Sequence, residues 1–365
     1  MGLSSGSSDA QAQGSVASYT SGLPRFVVAD AVIPHHYGFS AFESPPDESP
    51  ATPASHLSLS NKEMNVPIGV RVMVFAPHPD DESLAAGGLM QRVLQRDGKV
   101  RVVFVTNGDG YVAALRKEFQ GVGLTSEDFI EYGERRHEEA VHAISELGLQ
   151  PSDGIFLGFP DDGVDDLWAG YWSARRPYVS PHTHFDHPKY KEVLSQKVKY
   201  TGVDLKNEIA RTIRDFMPDW IIIPDPRDTH PDHCATGAFV LDALRKLRQE
   251  HGATFDRMEA YTYLVHYYDY PSSVAWARQI KKAGFGGSGA STGLLASAKW
   301  LNLPLTLEEV ATKQRALLAH ETQQEFLHDF MEQFLIPYEL FGRLNQAQIM
   351  SAPLDYASHF RRPNS

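Results

Sequence analysis

Two short segments of the sequence concentrate the side-chain types that bind metal ions in proteins. They are HPDDE at residues 78–82 and HPDH at residues 230–233. Zn²⁺ is bound by imidazole nitrogens and carboxylate oxygens, and a catalytic zinc site uses three protein ligands and keeps a further position for water. A carboxylate beside the ligands can take a proton from that water, and Asp80 lies between two candidate ligands. The segments predict a metal site whose candidate ligands are His78, Asp81, His230 and His233.

Each segment stands where an apolar strand ends and a helix begins. Val72, Val74 and Phe75 precede the first segment, and WIIIPD at 220–225 precedes the second. In open α/β sheets, ligands bind outside the carboxyl ends of the strands. Proline-flanked turns of Asp and His can also simply cap helices, and for one segment alone the two interpretations are even. Two segments with the same layout favour the metal site.

The hydrophobic pattern alternates between strands and helices along the chain. Apolar β-branched runs predict strands, and apolar residues spaced three and four apart predict helices. The alternation predicts an α/β fold, with a Rossmann-like, mostly parallel sheet and helices on both faces. The predicted strands lie at 72–75, 100–110, 154–163, 220–225 and 259–268, and the predicted helices at 131–148, at 203–219, from Thr306 to about Phe334, and after each of the two segments.

Composition divides the chain into three parts. Residues 1–65 are rich in Ser and Pro and predict a partly irregular N-terminal extension, with a short strand at 26–33 as the exception. Residues 66–345 carry the strand–helix units and predict the main domain. Within it, the irregular and aromatic stretch 164–200 predicts an insertion able to act as a lid. Residues 346–365 are interpreted as a C-terminal tail.

Charge and cysteine content disfavour several classes of protein. The 365-residue chain has a formal net charge of −12 and no basic run, which disfavours nucleic acid as a partner. Its single cysteine, Cys234, excludes an intrachain disulfide and fits the cytoplasm. We find no N-terminal leader and no apolar run long enough to span a bilayer. We therefore expect a cytoplasmic protein with a small-molecule substrate, and a homo-oligomer is compatible with the sequence.

The two segments together resemble the motifs of the LmbE-like, or PIG-L, family of zinc-dependent N-acetylglucosaminyl deacetylases. Three further segments agree with this resemblance: RHEE at 136–139, FLGFPDDG at 156–163 and KQRALLAHETQ at 313–323. The resemblance covers roughly residues 68 to 343, and the pairing of the motifs makes it specific. It implies an LmbE-like deacetylase fold for the main domain.

The resemblance also implies a role for each motif residue. His78, Asp81 and His233 would bind Zn²⁺, Asp80 would be the general base, and His230 would be the electrostatic or acid partner. The other residues that it implies are Glu82 and Asp232, which would support this centre, Asp161, which would orient an imidazole, and Arg136, which would contact the substrate.

One position departs from the family pattern. Some sugar-deacetylating members carry a tyrosine two residues before the first histidine of the second motif, whereas this chain has Asp228 there. The oxyanion contact attributed to that tyrosine is therefore not carried over to this chain.

Two further segments match known metal-binding or dinucleotide-binding motifs but lack the preceding strand that each motif needs. His182, His184 and His187 match HxHxDH, which resembles a dinuclear metal motif, but no apolar strand precedes them. We interpret them as part of a polar insertion. GFGGSG at 284–289 matches a dinucleotide fingerprint but follows a polar segment, so a flexible loop is the better interpretation.

Single residues near the motifs have two interpretations each. Cys234, beside a predicted ligand, is either a fourth ligand or redox-active group or, as the commoner case, a small buried residue at the start of a helix. His266 either faces the site or is a satisfied core histidine. Trp168, Tyr171 and Trp172 either stack on a sugar or pack the insertion.

These features predict a metal-dependent hydrolase that removes an N-acyl group, in the first place acetyl, from an amino sugar or its conjugate. The expected cofactor is Zn²⁺, although Fe²⁺ or Co²⁺ would bind the same ligand types. One alternative is a metal-dependent hydratase of an unsaturated carboxylic acid, which would need a pocket lined by several Arg and Lys side chains. Another is a non-catalytic, metal-dependent sugar-binding protein.

Overall fold

In the part of the chain that the structure describes, seven strands form one sheet, and helices cover both of its faces. The predicted α/β fold class is therefore confirmed. The computed structural model describes residues 62–119, 123–225, 227–267, 270–271 and 300–350. The predicted strand at 26–33 and the glycine-rich motif at 284–289 lie outside these residues.

The described elements follow one another as strand and helix through most of the chain. The strands are β1 (Arg71–Ala76), β2 (Lys99–Thr106), β3 (Gly154–Phe159), β4 (Trp220–Pro224), β5 (Glu259–Tyr263), β6 (Trp300–Pro304) and β7 (Tyr338–Arg343). The helices are α1 (Asp81–Gln95), α2 (Val112–Glu118), α3 (Ser126–Glu146), α4 (Val164–Ala169), α5 (Gly202–Phe216), α6 (Pro231–His251), α7 (Ala253–Asp256), α8 (Leu307–Ala319) and α9 (Glu321–Glu332).

The order of the strands reverses between β1 and β4. The sheet order is β3-β2-β1-β4-β5-β7-β6, so the chain moves outward from β1 to β3 and then returns to the other side of β1. The first five strands in this order are parallel, and β7 runs antiparallel to both β5 and β6. In open α/β sheets such a reversal opens a crevice at the carboxyl ends of the two strands, where ligands bind. Both metal-type segments follow these two strands.

Residues of β1 alternate between two hydrophobic cores because successive side chains of a strand point to opposite faces. Val72 and Val74 pack in the core that contains residues of α1, α3 and α8. Met73 and Phe75 pack in the core that contains residues of α4, α5 and α6. The central strands are buried on both sides, which explains their continuous apolar runs.

The helix boundaries differ from the sequence prediction at two places. Helix α3 begins at Ser126, earlier than predicted, because Thr125 and Asp128 form a capping box. The single helix predicted from Thr306 to about Phe334 is two helices, α8 and α9, which meet at His320. The His320 side chain is buried and contacts another helix, so tertiary packing sets this break.

The packing of the domain reaches beyond the predicted boundaries at 66 and 345. Met64 and Ile349 are both buried in the hydrophobic cores. Tyr178 and Tyr200 of the irregular stretch are buried in the same way, so that part of the insertion packs on the sheet. None of the described helices combines the length and the hydropathy that a bilayer-spanning segment needs.

A buried ion pair joins the antiparallel edge of the sheet to two helices. Glu339 of β7 accepts the N–H groups of Gly88 and Leu89 in α1 at 2.8 and 2.9 Å, and Lys313 Nζ of α8 at 2.8 Å. The side chains of both charged residues are 1% exposed. Since removing one partner leaves the other charge buried and unpaired, this pair is sensitive to single substitutions.

We expect Glu339→Ala to lower the free energy of unfolding by about 3–5 kcal/mol, because it strands the Lys313 charge and two backbone donors. Denaturant unfolding followed by circular dichroism measures this. The control is Glu332→Ala, since the Glu332 side chain is 54% exposed and a surface change of this kind costs within about 0.5 kcal/mol. Equal stabilities of the two variants would contradict the prediction.

Candidate metal site

The HPDDE segment forms a tight turn between β1 and α1. The Asp81 side chain closes the turn, because its Oδ2 accepts the backbone N–H of His78 at 2.9 Å. The Asp80 backbone has a φ of 142°, which costs free energy in a residue with a side chain, and the Glu82 carboxylate accepts the Asp80 N–H at 3.0 Å. The Asp80 side chain makes no hydrogen bond that caps α1, so helix capping does not explain why a carboxylate occupies this position.

The HPDH segment at 230–233 opens α6 beside the first turn, because β4 pairs with β1. His230 is the N-cap residue, and its Nδ1 accepts the N–H of Asp232 at 3.2 Å. His233 lies in the first turn of the helix and reaches the Asp81 carboxylate of the neighbouring turn. The strand order thus brings the two distant segments together.

Asp81 lies between the two imidazoles that the sequence pairs with it. Its Oδ2 is 3.2 Å from His78 Nδ1 and 3.2 Å from His233 Nε2. All three side chains are buried, and one ligand atom from each lies within 4.8 Å of the others. Two atoms bound to one zinc ion at about 2.0–2.1 Å with tetrahedral geometry lie about 3.4 Å apart. The spacing therefore fits a single metal ion.

The chemistry of these atoms also fits a cation. His233 is fully buried, yet neither of its ring nitrogens has a hydrogen-bond partner among the described residues. Its approaches to Asp81 at 3.2 Å and to Asp228 at 3.5 Å are charge contacts without hydrogen-bond geometry. Burial acts to raise the pKa of Asp81, but the neighbouring His233 and His78 hold it well below its usual value. A cation would satisfy the imidazole nitrogen and the carboxylate together.

Asp80 lies beside the ligand group and lines the same cavity as His78. Its Oδ2 accepts a hydrogen bond from Arg136 Nη2 at 3.3 Å. Burial and the adjacent Asp81 charge raise the pKa of Asp80 to about 7, against the opposing effect of Arg136. A pKa near neutrality suits a general base. The location fits the predicted role, which stays a prediction.

Glu82 lies behind the turn and joins it to the break between α8 and α9. Its Oε1 accepts a hydrogen bond from Ser83 Oγ at 2.6 Å and lies 3.2 Å from His320 Nε2. Burial acts to lower the pKa of His320, but the Glu82 charge raises it above its usual value. Sequence reasoning quoted the segment 313–323 without assigning His320 a place in the site.

Two carboxylates meet the other ring nitrogen of His78. Nε2 is 3.1 Å from Asp161 Oδ1 and 3.4 Å from Asp232 Oδ2. Backbone N–H groups fix both carboxylates, since Gly110 donates to Asp161 at 2.6 Å and Val164 donates to Asp232 at 3.0 Å. A metal-bound imidazole usually donates its second N–H to a carboxylate, which fixes its tautomer and orientation. The three side chains also have metal-compatible spacing, but donation by His78 explains their contacts without a second ion.

The Arg136 guanidinium lines the cavity but is largely occupied by the protein. Its Nη1 donates to the Gly108 carbonyl and its Nη2 to the Pro79 carbonyl, both at 2.7 Å. Gly108 has a φ of 68°, and a Cβ there would lie 2.0 Å from Arg136 Nη1, so glycine is required. Arg136 therefore fixes two strand-end turns and orients Asp80. Its contact with substrate stays a prediction.

A row of imidazoles lines the cavity. The ring centroids of His78 and His230 are 4.8 Å apart, and those of His230 and His266 are 5.2 Å apart. Burial and the neighbouring imidazoles lower the pKa of His230 well below its usual value and lower that of His266 to about 4. Because His230 Nδ1 accepts the N–H of Asp232, a neutral His230 carries its proton on Nε2 and is a hydrogen-bond donor.

Asp228, where the family pattern changes, has a structural role. Its Oδ1 accepts the N–H of His230 at 3.0 Å, and its Oδ2 accepts those of Val265 and His266, both at 3.0 Å. The same Oδ2 lies 3.5 Å from Nδ1 of His233. One buried carboxylate thus fixes the second turn, a predicted ligand and the segment after β5. Sequence reasoning missed this role and left His266 unassigned, although its position just beyond an apolar strand was a usable signal.

The histidine-rich insertion lies apart from the potential metal-ligand groups that the described residues form. Within the described part of the chain, neither group of potential metal ligands includes His182, His184 or His187. His182 alone approaches the site, with Nε2 3.9 Å from Asp162 Oδ2. The insertion therefore reaches one edge of the cavity.

The remaining candidates belong to the packing of the domain. Cys234 is buried, and its Sγ donates to the Asp228 carbonyl at 2.7 Å. Trp168 and Trp172 pack on Phe239 of α6 with ring centroids 4.9 and 5.3 Å apart. These contacts agree with a packing role for the aromatic residues of the insertion.

The fold and the site together define a mostly parallel α/β protein with a candidate metal centre at the carboxyl edge of its sheet. Residues 73–244 match the family model described as PIG-L: GlcNAc-PI de-N-acetylase. This part of the chain is therefore similar to the PIG-L, or LmbE-like, family, as the sequence motifs predict.

Individual relatives agree with this family. Over 179 residues, which are 48% of this chain and 50% of the relative, the sequence is 27% identical to 1D-myo-inositol 2-acetamido-2-deoxy-alpha-D-glucopyranoside deacetylase of Mycobacterium sp. (strain KMS). The match thus spans about half the length of that curated relative.

Solved structures with similar folds include enzymes of two kinds. A deacetylase of teicoplanin biosynthesis has a TM-score of 0.46 at 14% identity, covering 76% of this chain and 99% of that one. GalB, a 4-carboxy-2-hydroxymuconate hydratase from Pseudomonas putida KT2440, has a TM-score of 0.42 at 13% identity, covering 75% of this chain and 95% of that one. At these values neither structure bears on the reaction.

Asp228→Asn should weaken metal binding by about 10–100-fold, because it removes the negative charge beside His233. It also replaces one of the two accepting oxygens with an NH₂ group, which cannot accept the backbone N–H groups that Asp228 binds. Competition with a chromogenic chelator measures the affinity. Asp242→Asn is the control, because Asp242 lies on α6, the helix that carries His233, and pairs with Lys206 and Arg245. A folded Asp228→Asn protein with unchanged metal affinity would refute this role.

Proposed function

We propose that this chain is a metal-dependent hydrolase that removes an N-acyl group, in the first place acetyl, from an amino sugar or its conjugate. The observation that carries the proposal is the convergence of His78, Asp81 and His233 beside Asp80 in one cavity. The deacetylase relatives act, by their names, on N-acetylated amino-sugar conjugates, and this supports the substrate class.

The residues around the cavity divide the work of amide hydrolysis among them. A divalent cation held by His78, Asp81 and His233 would supply Lewis-acid polarisation and lower the pKa of water. Asp80, held by Arg136, takes the proton as the nucleophile forms and returns it to the leaving amine. His230 donates its Nε2–H to the oxyanion that develops on the substrate carbonyl.

The ligand set suits Zn²⁺, which commonly takes imidazole and carboxylate ligands and keeps an open position in catalytic sites. Fe²⁺ and Co²⁺ bind the same ligand types, so availability in the cell contributes to the choice. We propose Zn²⁺ as the physiological metal.

The lining of the cavity favours a sugar over a polycarboxylate. Among the described residues that line it, Arg136 is the only Arg or Lys, and its Nη1 and Nη2 groups already bond protein oxygens. Asp161 lies on the same lining, and the neighbouring His78 holds its pKa below the usual value against the effect of burial, so its charge would repel a carboxylate-rich substrate. The hydratase alternative therefore lacks support from the cavity, and the position of Asp80 favours catalysis over simple sugar binding.

The proposal is tested directly by metal analysis followed by an amine-release assay on N-acetylated amino sugars and their conjugates. We expect about one bound metal ion per chain and release of a primary amine that a chelator abolishes and Zn²⁺ restores. Unsaturated carboxylic acids serve as the comparison substrates. Hydration of one of these acids, with no amine released from any sugar, would replace the proposal with the hydratase.

Replacing any one of the three predicted ligands should remove both bound metal and activity. His78→Ala, Asp81→Ala and His233→Ala each take away one of three ligands, so elemental analysis should show little retained metal. The control is His184→Asn in the insertion, where asparagine tolerates the φ of 59°, and it should keep both properties. Full activity in metal-free His78→Ala protein would refute the metal-dependent mechanism.

Asp80→Asn should separate proton transfer from metal binding. The amide cannot act as a base, so kcat should fall by about 10²–10⁴-fold while the metal content stays at the wild-type level. Loss of the metal together with activity would instead make Asp80 a ligand, and unchanged kcat would remove it from the mechanism.

A further inference from the structure

The lining of the cavity beside the ligand group contains two chemically different sets of side chains. The polar set is Gly110, Asp161 and Asp162, and the Gly110 N–H donates to Asp161. The apolar set, which we call the apolar side, is Leu84, Leu327 and Phe330, and all three belong to or pack against one hydrophobic core. A molecule that fills the cavity therefore meets both polar groups and hydrocarbon.

The apolar side is a rigid face of a hydrophobic core. Leu84 and Phe330 are buried at 2% and 5% exposure in the core that contains β1, α1 and α3 residues. The Phe330 ring stacks on His266 with ring centroids 5.4 Å apart and an angle of 9° between the planes. Leu327, on α9, packs against this core and remains partly exposed. Its side chain can therefore change with little loss of core packing.

The cavity is small, with a volume of about 100 Å³. This corresponds to roughly three water molecules at about 30 Å³ each. An acetamide group suits a space of this size, and each added methylene of a longer acyl chain would need further room beside the apolar side chains.

We propose that the acyl group binds on the apolar side, between Leu84, Leu327 and Phe330, and that Leu327 limits its length to acetyl. The amino sugar then lies towards Asp161 and Asp162, whose oxygens accept hydrogen bonds from hydroxyl groups. This inference rests on the proposed function and names its acyl specificity. In a hydrophobic pocket, one methylene changes discrimination by about 10–200-fold, so a single leucine can set the limit.

The test uses binding of free carboxylates, which needs no turnover. Co²⁺-loaded protein is titrated with acetate and with butanoate, and the visible spectrum of the metal reports binding. We expect wild type to bind acetate at least about 10-fold more tightly than butanoate. Leu327→Ala should lower that ratio by about 10-fold or more, and Leu327→Phe should weaken acetate binding. Leu318→Ala, at a side chain that is 50% exposed on α8, is the matched control and should keep the wild-type ratio.

The outcomes separate this inference from the proposed function. Equal affinities for the two carboxylates in wild type, or an unchanged ratio in a Co²⁺-binding Leu327→Ala protein, would overturn the acyl assignment. Equal rates of amine release from N-acetyl and N-butanoyl sugars would do the same and leave the hydrolase intact. The expected carboxylate selectivity without amine release from any N-acyl sugar would support the pocket and reject the hydrolase.

Discussion

The site depends on one oxygen atom, Asp81 Oδ2, which lies within 3.2 Å of an imidazole nitrogen from each of the two turns. This convergence exists because β1 and β4 are neighbours, although 143 residues lie between the end of β1 at Ala76 and the start of β4 at Trp220. The reversal of strand order between them opens the crevice at their carboxyl ends. Without that pairing, each turn would hold too few ligands for a metal.

Burial makes the support around these ligands as important as the ligands themselves. Charged groups taken from water must be paired or hydrogen-bonded, and the structure provides partners from several elements. Asp228 accepts three backbone N–H groups, and Glu82 accepts the N–H of the strained Asp80 while contacting His320. These contacts hold the site in one arrangement before any substrate binds, which reduces the reorganisation that catalysis requires.

The sequence was sufficient where chemistry and periodicity coincide at a strand end. HPDDE and HPDH stand out because each follows a buried parallel strand, and the alternation of elements predicts the class of fold. His320 and Asp228 were not predicted as site residues because their roles arise from contacts between segments far apart in sequence. The strands β6 and β7 escaped prediction for a similar reason, because the antiparallel part of the sheet that they form depends on tertiary pairing.

The break between α8 and α9 at His320 affects how the binding properties of such a protein can change in evolution. On one side of it, His320 contacts Glu82 in the turn that carries Asp80 and Asp81. On the other side, α9 presents Leu327 and Phe330 to the cavity without supplying a member of either potential ligand group in the described residues. Substitutions along α9 can therefore alter which molecules the cavity accepts while the potential ligand groups and Asp80 stay unchanged. Selection can then act on the range of bound molecules separately from the residues of the metal site.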